Sequence, residues 1–227
     1  MPQVLTIHPA NPQPRLLRLA ARTLRDGGVI AYPTDSSYAL GCRLDDAEAA
    51  RRIRAIRGLN EQHHLTLMCR DMADVGHFAR LDNWQFRIVR QGTPGSFTYL
   101  LPATHEVPRR LQHPRRRTIG VRIPDHRLAR ALLDEVGAPI LSATLIPPES
   151  DEPLNDAESI RARFGRSIDL IIDAGPCAAM PTTVIDLAQT PPVVVRRGLG
   201  DPARAGLPTD RGESAPNAAR ARRLRVG

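Results

Sequence analysis

The stretch YPTDSSYALG at residues 32–41 decides the fold. The apolar run at residues 29–32 predicts a short β-strand that ends at Pro33, because proline has no N–H to offer a sheet. Residues 37–44 predict a second strand. The turn between the two strands is rich in hydroxyl and carboxyl groups. Such a turn is most often a plain connection, but the ends of strands in α/β sheets are also the usual place for ligands.

Outward from this stretch, predicted helices and strands alternate along the chain. Helices are predicted at residues 14–27, 46–57, 125–137 and 155–164, and two short ones begin at the N-cap candidates Asp71 and Asp82. Further strands are predicted at residues 65–69, 97–101, 118–123, 139–143, 168–173, 182–187 and 193–196. Interleaved helices and strands indicate a single α/β domain with a mixed sheet.

The predicted domain spans residues 1–202, and a disordered basic tail is predicted at residues 203–227. The tail is rich in Arg, Ala, Gly and Pro and has almost no large apolar residue, so it offers little to a core.

The charge of the chain is strongly positive. It has 32 basic and 24 acidic residues and a net charge of +8, and every basic residue is Arg. This balance favours a polyanionic partner. Five of the arginines are clustered and form a candidate site for double-stranded RNA or tRNA: Arg109, Arg110, Arg115, Arg116 and Arg117. A charge run can equally be a solvated face, and aromatic residues are only 4% of the chain, so contact with the RNA backbone is favoured over base stacking.

Several classes of protein are excluded by pattern. No apolar run is long enough to span a membrane, and the N-terminal residues lack the pattern of a signal peptide. The three cysteines are widely spaced, which favours reduced thiols in the cytoplasm over disulfides or a metal site. The phosphate-binding P-loop and the Gly-x-Gly-x-x-Gly and Gly-x-Ser-x-Gly motifs do not occur.

Three hydroxyl-rich turns follow predicted strands, at residues 32–38, 141–144 and 181–183. Hydroxyls and free N–H groups in such turns can hold phosphates or a small polar substrate. Together with arginines at strand ends, they predict a ligand site at one edge of the sheet.

These motifs resemble those of the YrdC/YciO family, which includes threonylcarbamoyl-AMP synthases. Residues 32–41 resemble the family's Tyr-Pro-Thr-(Asp/Glu)-(Thr/Ser)-x-Tyr-Gly-Leu signature, and residues 94–98 resemble its Pro-Gly-x-x-Thr element. Residues 118–124, 181–187 and 197–198 resemble its Thr-x-x-x-Arg-x-Pro, Pro-(Ser/Thr)-Thr-Val-x-Asp and closing Arg-Gly elements. The segments DSSYALGC at residues 35–42 and LTLMCRD at residues 65–71 are most similar to the YciO branch.

The resemblance implies a YrdC-like twisted mixed β-sheet flanked by helices. It also implies synthesis of L-threonylcarbamoyladenylate from L-threonine, bicarbonate and ATP with Mg²⁺, releasing pyrophosphate, for the threonylcarbamoyl modification of tRNA. By matched position, Thr34, Arg122 and Thr182 would bind L-threonine. The nucleotide would contact Arg57, Thr118, Ser142, Thr144 and Arg197, and Arg57 and Arg122 would carry the catalytic roles.

Two positions depart from the family's enzymes. Their Lys-x-Arg aligns with residues 57–59, where Leu59 supplies no charge, and their Ser-x-Asn aligns with residues 142–144, where Thr144 replaces an amide. A lost charged contact to phosphate typically costs about 1.5–3 kcal/mol. Two functions are therefore expected to compete: a slow synthase, and an RNA-binding protein without synthase activity.

Overall fold

The computed structural model describes residues 1–60, 63 and 65–207. Within them, ten strands form one mixed sheet in the order β1-β8-β2-β3-β7-β4-β6-β5-β9-β10. The strands are β1 (Gln3–Thr6), β2 (Ile30–Pro33), β3 (Tyr38–Arg43), β4 (Thr66–Met68), β5 (Phe97–Pro102), β6 (Thr118–Arg122), β7 (Ile140–Thr144), β8 (Leu170–Asp173), β9 (Thr183–Asp186) and β10 (Val193–Arg196). The predicted single α/β domain with a mixed, twisted sheet is confirmed.

Six α-helices flank the sheet in the described residues: α1 (Pro14–Arg25), α2 (Ala47–Arg57), α3 (Met72–Phe78), α4 (Asn83–Gly92), α5 (Arg127–Val136) and α6 (Ala157–Phe164). Local sequence explains their ends. Asp46 and Asp71 each accept a hydrogen bond from the N–H three residues on, at 2.8 and 2.9 Å, as N-caps do. Helix α5 begins differently from the prediction, because His126, not Asp125, is its N-cap.

Strand β1 was not predicted from the sequence. It is short, only its Leu5 is buried, and it is held by parallel pairing with β8, far away in the chain. Such non-local pairing leaves little trace in a four-residue pattern.

The predicted boundary at residue 202 is too early. Pro202–Ala205 forms a 3-10 turn, Ala205 is fully buried, and Leu207 packs against the same core. Small residues can fill a gap beside a helix, which their composition alone does not indicate. The rest of the predicted tail, residues 208–227, lies outside the described residues.

The two faces of the sheet are covered unequally. On one face, Ile53 of α2, Val75 of α3 and Val89 of α4 pack in a large core with the strands. On the other face, α1 and α5 bury residues such as Leu24 and Leu132 against the β1-β8-β2-β3-β7 side. Beyond these helices on that second face, Thr66 of β4, Thr98 of β5 and Val184 of β9 line a cavity, so this half of the sheet is open for a site. No described helix is both long and apolar enough to cross a bilayer.

Candidate functional site

A cavity of about 520 Å³ lies on the open half of the sheet. Its strand residues carry hydroxyls and small side chains, among them Thr66 on β4 and Thr98 on β5. Strand β6 runs between β4 and β5, and its Gly120 has no side chain at this point. A Cβ there would lie 3.1 Å from Thr66 Oγ1, so glycine leaves the floor of the cavity unobstructed. Alternate residues of a strand face the same way, so the pleat gathers these groups from neighbouring strands into one concave wall.

Arg57 and Arg196 supply positive charge to the cavity, His63 lies beside them, and we call these three residues the cation wall. Arg57 ends α2 and donates from Nη1 to the carbonyl of Ile146. Desolvation, and then the charge of Arg196, lower the pKa of Arg57 to about 10. None of the described residues that line the cavity is acidic, so this wall is suited to an anion.

His63 shares this environment. Its pKa is lowered by desolvation, then by the charges of Arg57 and Arg196, with a smaller contribution from Arg54. The sequence has two adjacent histidines at residues 63–64, and because adjacent side chains rarely face one metal ion, this pair predicts a solvated loop rather than a site. The structure instead places His63 in the cavity wall.

Arg196, not Arg197, is the arginine of β10 that reaches the cavity. Arg196 donates to the carbonyl of Thr182 from Nε and Nη2 at 3.1 and 3.0 Å, and from Nη2 to Thr182 Oγ1 at 3.3 Å. Arg197 is exposed and is not part of the cavity wall. The expected placement of Arg197 along a nucleotide is thus corrected by one residue, because consecutive side chains at a strand end point to opposite sides.

Thr182 and Thr144 line the cavity as expected, whereas Ser142 and Thr118 do not. Thr182 is buried and its Oγ1 lies 2.9 Å from Thr98 Oγ1. The Ser142 hydroxyl donates to the Leu40 carbonyl at 2.8 Å and lies 3.0 Å from the Tyr32 hydroxyl. Thr118 is buried at the start of β6. Both residues are buried beside the cavity and are not part of its wall, so the structure does not bring them together with Thr182 and Thr144.

Arg122 forms a second centre, which we call the Arg122 pair because its guanidinium binds Asp35. Arg122 Nη2 lies 2.6 Å from Asp35 Oδ1, and Nη1 donates to Ser36 Oγ at 3.1 Å. The other oxygen, Asp35 Oδ2, accepts from Ser96 Oγ at 2.5 Å. The side chains of Arg122 and Asp35 are only 6% and 11% exposed. Arg122 was expected to bind a substrate carboxylate through two donors. In the structure, it already binds one of the chain's own carboxylates, that of Asp35.

Thr34 organises the turn that carries Asp35. Its hydroxyl donates to the carbonyl of Ser37 at 2.7 Å and lies 3.2 Å from Ser36 Oγ. The Arg122 pair and the cation wall are neighbours. The pKa of Arg196 is lowered by desolvation and then by the charge of Arg122.

The predicted RNA-binding cluster is divided by the structure. Arg116 faces the cavity, and its Nη1 lies 2.5 Å from Oδ2 of the fully buried Asp186. Arg110 donates to the backbone carbonyl of Asp45 at 2.9 Å. Arg109, Arg115 and Arg117 are exposed, and no ion pair involves them within the described residues. Arg116 thus lines the cavity while its side chain stays 44% exposed, and all five arginines of the cluster remain exposed.

Comparisons with known proteins agree with this architecture. The Sua5/YciO/YrdC family model, described as "Telomere recombination", matches residues 22–198. The uncharacterized protein YciO of Escherichia coli (strain K12) is 48% identical over 201 residues, which are 88% of this chain and 98% of that protein. Its crystal structure superposes with a TM-score of 0.88 and covers 90% of this chain and 99% of that one.

More distant relatives carry a named activity or ligand. The threonylcarbamoyl-AMP synthase of Chromobacterium violaceum is 35% identical over 180 residues, 79% of this chain and 92% of that protein. The crystal structure of P. abyssi Sua5 complexed with L-threonine has a TM-score of 0.80 at 26% identity and covers 86% of this chain and 57% of that chain. On the family model and these relatives, the chain belongs to the Sua5/YciO/YrdC family.

Proposed function

We propose that this chain synthesises L-threonylcarbamoyladenylate from L-threonine, bicarbonate and ATP, slowly, as a cytoplasmic step towards the threonylcarbamoyl modification of tRNA. The observation that carries the proposal is the cavity, which brings Arg57, Arg116 and Arg196 together with hydroxyls and with no acidic residue among its described lining residues. Its volume is within the range of small-molecule sites. The synthase-named relatives and the L-threonine complex of a relative support the same reading.

In this reaction the threonine amine and bicarbonate form a carbamate with loss of water, a carbamate oxygen attacks the α-phosphorus of ATP, and pyrophosphate leaves. Catalysis then consists of positioning and of charge placed where the pyrophosphate develops. Arg57 and Arg196 would offset phosphate charge, Arg122 would hold the threonine carboxylate, and Thr182 would lie between the two substrates. Because no described lining residue is acidic, the Mg²⁺ that accompanies ATP would be held by phosphate oxygens and water.

Slow turnover is proposed because the phosphate grip is weakened at two positions. Leu59 packs against the core and brings no charge. Thr144 lines the cavity with one hydroxyl, whereas an Asn there would present both a donor and an acceptor. Arg116 does face the cavity, but its charge is offset by Asp186.

The test is pyrophosphate release with mass detection of the adenylate. Pyrophosphate should appear only when ATP, L-threonine and bicarbonate are all present, and the adenylate mass should appear with it. Reactions that lack threonine or bicarbonate are the matched controls. Pyrophosphate release without threonine, or no adenylate at any enzyme concentration, would contradict the synthase.

A second candidate function is binding of double-stranded RNA or tRNA, which the exposed Arg109, Arg115 and Arg117 favour. Affinity should fall steeply with salt and vary little with sequence. The double variant R115A/R117A should weaken binding, whereas R15A/R18A on α1 removes two exposed arginines from another element and serves as control. Equal losses in the two variants would indicate general charge attraction instead of a site.

A further inference from the structure

Asp35 occupies the place where a bound carboxylate would be expected. It follows β2 in the loop, and its side chain is 11% exposed. One of its oxygens lies 2.6 Å from Arg122 Nη2 and the other 2.5 Å from Ser96 Oγ. A carboxylate held by a guanidinium and a hydroxyl in a buried site is the arrangement that a bound amino acid would otherwise provide.

The grip of Asp35 on Arg122 is incomplete. A guanidinium binds a carboxylate best through two parallel N–H donors. Here Asp35 Oδ1 takes Nη2, Ser36 takes Nη1, and the buried Arg122 Nε has no hydrogen-bond partner. Because Asp35 Oδ2 is bound to Ser96, Asp35 engages Arg122 with a single oxygen. On the edge of the guanidinium formed by Nε and Nη2, only Nη2 donates a hydrogen bond. A buried donor without a partner lowers stability.

We infer that Asp35 is an internal competitor for the substrate carboxylate. The incoming carboxylate displaces Asp35 from Nη2 and pairs with both Nε and Nη2 of Arg122, and Ser96 retains the displaced Asp35. The arginine is thereby kept neutralised in the empty site, and only a ligand that uses both donors gains enough to replace the chain's own carboxylate. The inference rests on the proposed function only for the identity of that ligand as L-threonine.

The decisive variant is Asp35→Asn, which keeps the size of the side chain and an oxygen that can accept from Arg122 but removes the charge. L-threonine binding, measured by calorimetry, should tighten by about ten-fold or more, because the competing charged hydrogen bond is lost. L-threoninol, which lacks the carboxylate, should show no gain. Asp45→Asn is the matched control, since Asp45 pairs with Arg43 in an exposed bridge outside the cavity wall, and it should bind L-threonine as the unaltered chain does.

Unchanged or weaker threonine binding in a folded Asp35→Asn chain would overturn the inference, because Asp35 would then orient Arg122 for the substrate. A second variant covers the case in which Asp35→Asn fails to fold. Ser96→Ala leaves the charge unchanged but frees Asp35 Oδ2 to pair with Arg122 Nε and removes the hydroxyl that holds the displaced Asp35, so it should weaken L-threonine binding. If Ser96→Ala leaves the affinity unchanged or tightens it, the inference also falls.

Sodium acetate separates this inference from the proposed function. The ¹⁵N resonance of Arg122 Nε, assigned with Arg122→Lys, should respond to acetate at lower concentration in Asp35→Asn than in the unaltered chain. That result, in a chain that makes no adenylate, leaves the inference standing and removes the synthase. A chain that makes adenylate but shows no difference between the two acetate titrations keeps the synthase and removes the inference.

Discussion

The cation wall and the Arg122 pair are neighbouring regions in which positive charge is placed in opposite ways. In the cation wall, Arg57 is partly buried and Arg196 is exposed, no acidic residue is among the described lining residues, and desolvation lowers the pKa of both arginines. In the Arg122 pair, the guanidinium is more deeply buried but bound to Asp35. The first region is left unfavourable until an anion arrives, whereas the second is stable without a ligand. One part of the site is therefore poised for binding, and the other also supports the fold.

The largest expected effect separates the two regions by stability. Arg122→Ala should lower the free energy of unfolding by about 3–5 kcal/mol, because it leaves the carboxylate of Asp35 buried without its partner. Arg57→Ala loses one hydrogen bond to a carbonyl and should cost about 1 kcal/mol or less. Urea unfolding of both variants measures the difference. Equal losses would remove the distinction between the two regions.

The next effect concerns binding at the cation wall. Arg196→Ala should weaken pyrophosphate or AMP binding by roughly ten- to a hundred-fold, as expected for the loss of one charged contact. Arg197→Ala should change the affinity by less than about three-fold, since Arg197 is not part of the cavity wall and an exposed charge outside the site contributes little. Calorimetry on the two folded variants decides which arginine serves the cavity. A greater loss with Arg197→Ala would restore the residue expected from the sequence motif.

A gain of function tests how complete the cation wall is. The double variant Arg57→Lys with Thr144→Asn brings the wall closer to the pattern of the family's enzymes, and it leaves Leu59, which packs against the core, in place. The rate of threonine-dependent pyrophosphate release should rise by about ten-fold if one contact of about 1.4 kcal/mol is regained. Arg122→Lys in the same background controls for threonine dependence. No change in rate, with ATP still bound, would show that the phosphate grip does not limit turnover.

The smallest effect is a change in the pKa of His63. Desolvation and the charges of Arg57 and Arg196 lower this pKa, and a bound anion offsets those charges, so the pKa of His63 should rise when pyrophosphate binds. Proton NMR titration with and without pyrophosphate measures it, with the resonance assigned by His63→Asn. In Arg196→Ala the pKa should already be higher without ligand. A fall on binding would place the anion elsewhere.

Much of the fold was predictable because its signals are local. Residues 29–32 and 37–44 did form adjacent strands, and the N-caps Asp46, Asp71 and Asp82 begin helices as predicted. Strand β1 was missed because its partner, β8, lies far away in the chain. Residues 203–205 were assigned to the tail although Ala205 is buried. Composition does not reveal that a small side chain fills a space in the core.

The candidate site was predicted less well than the fold. Thr182, Thr144 and Arg57 were placed in the cavity by motif, and the structure brings them together there. Two placements differ from those expected by motif: Arg196 lines the cavity where Arg197 was expected, and Arg116, although 44% exposed, pairs with the buried Asp186. A single residue of shift along a strand moves a side chain to the opposite face, and no motif specifies that shift.

By itself, the sequence determined the order of helices and strands, the family and the positive charge of the site, because hydrophobic period, caps and composition act over a few residues. Only the tertiary structure decided which arginines are neutralised. Asp35 meets Arg122, and Asp186 meets Arg116, across long stretches of chain. Whether a charge is paired or waiting for a ligand depends on distances and burial that arise only when the sheet is assembled.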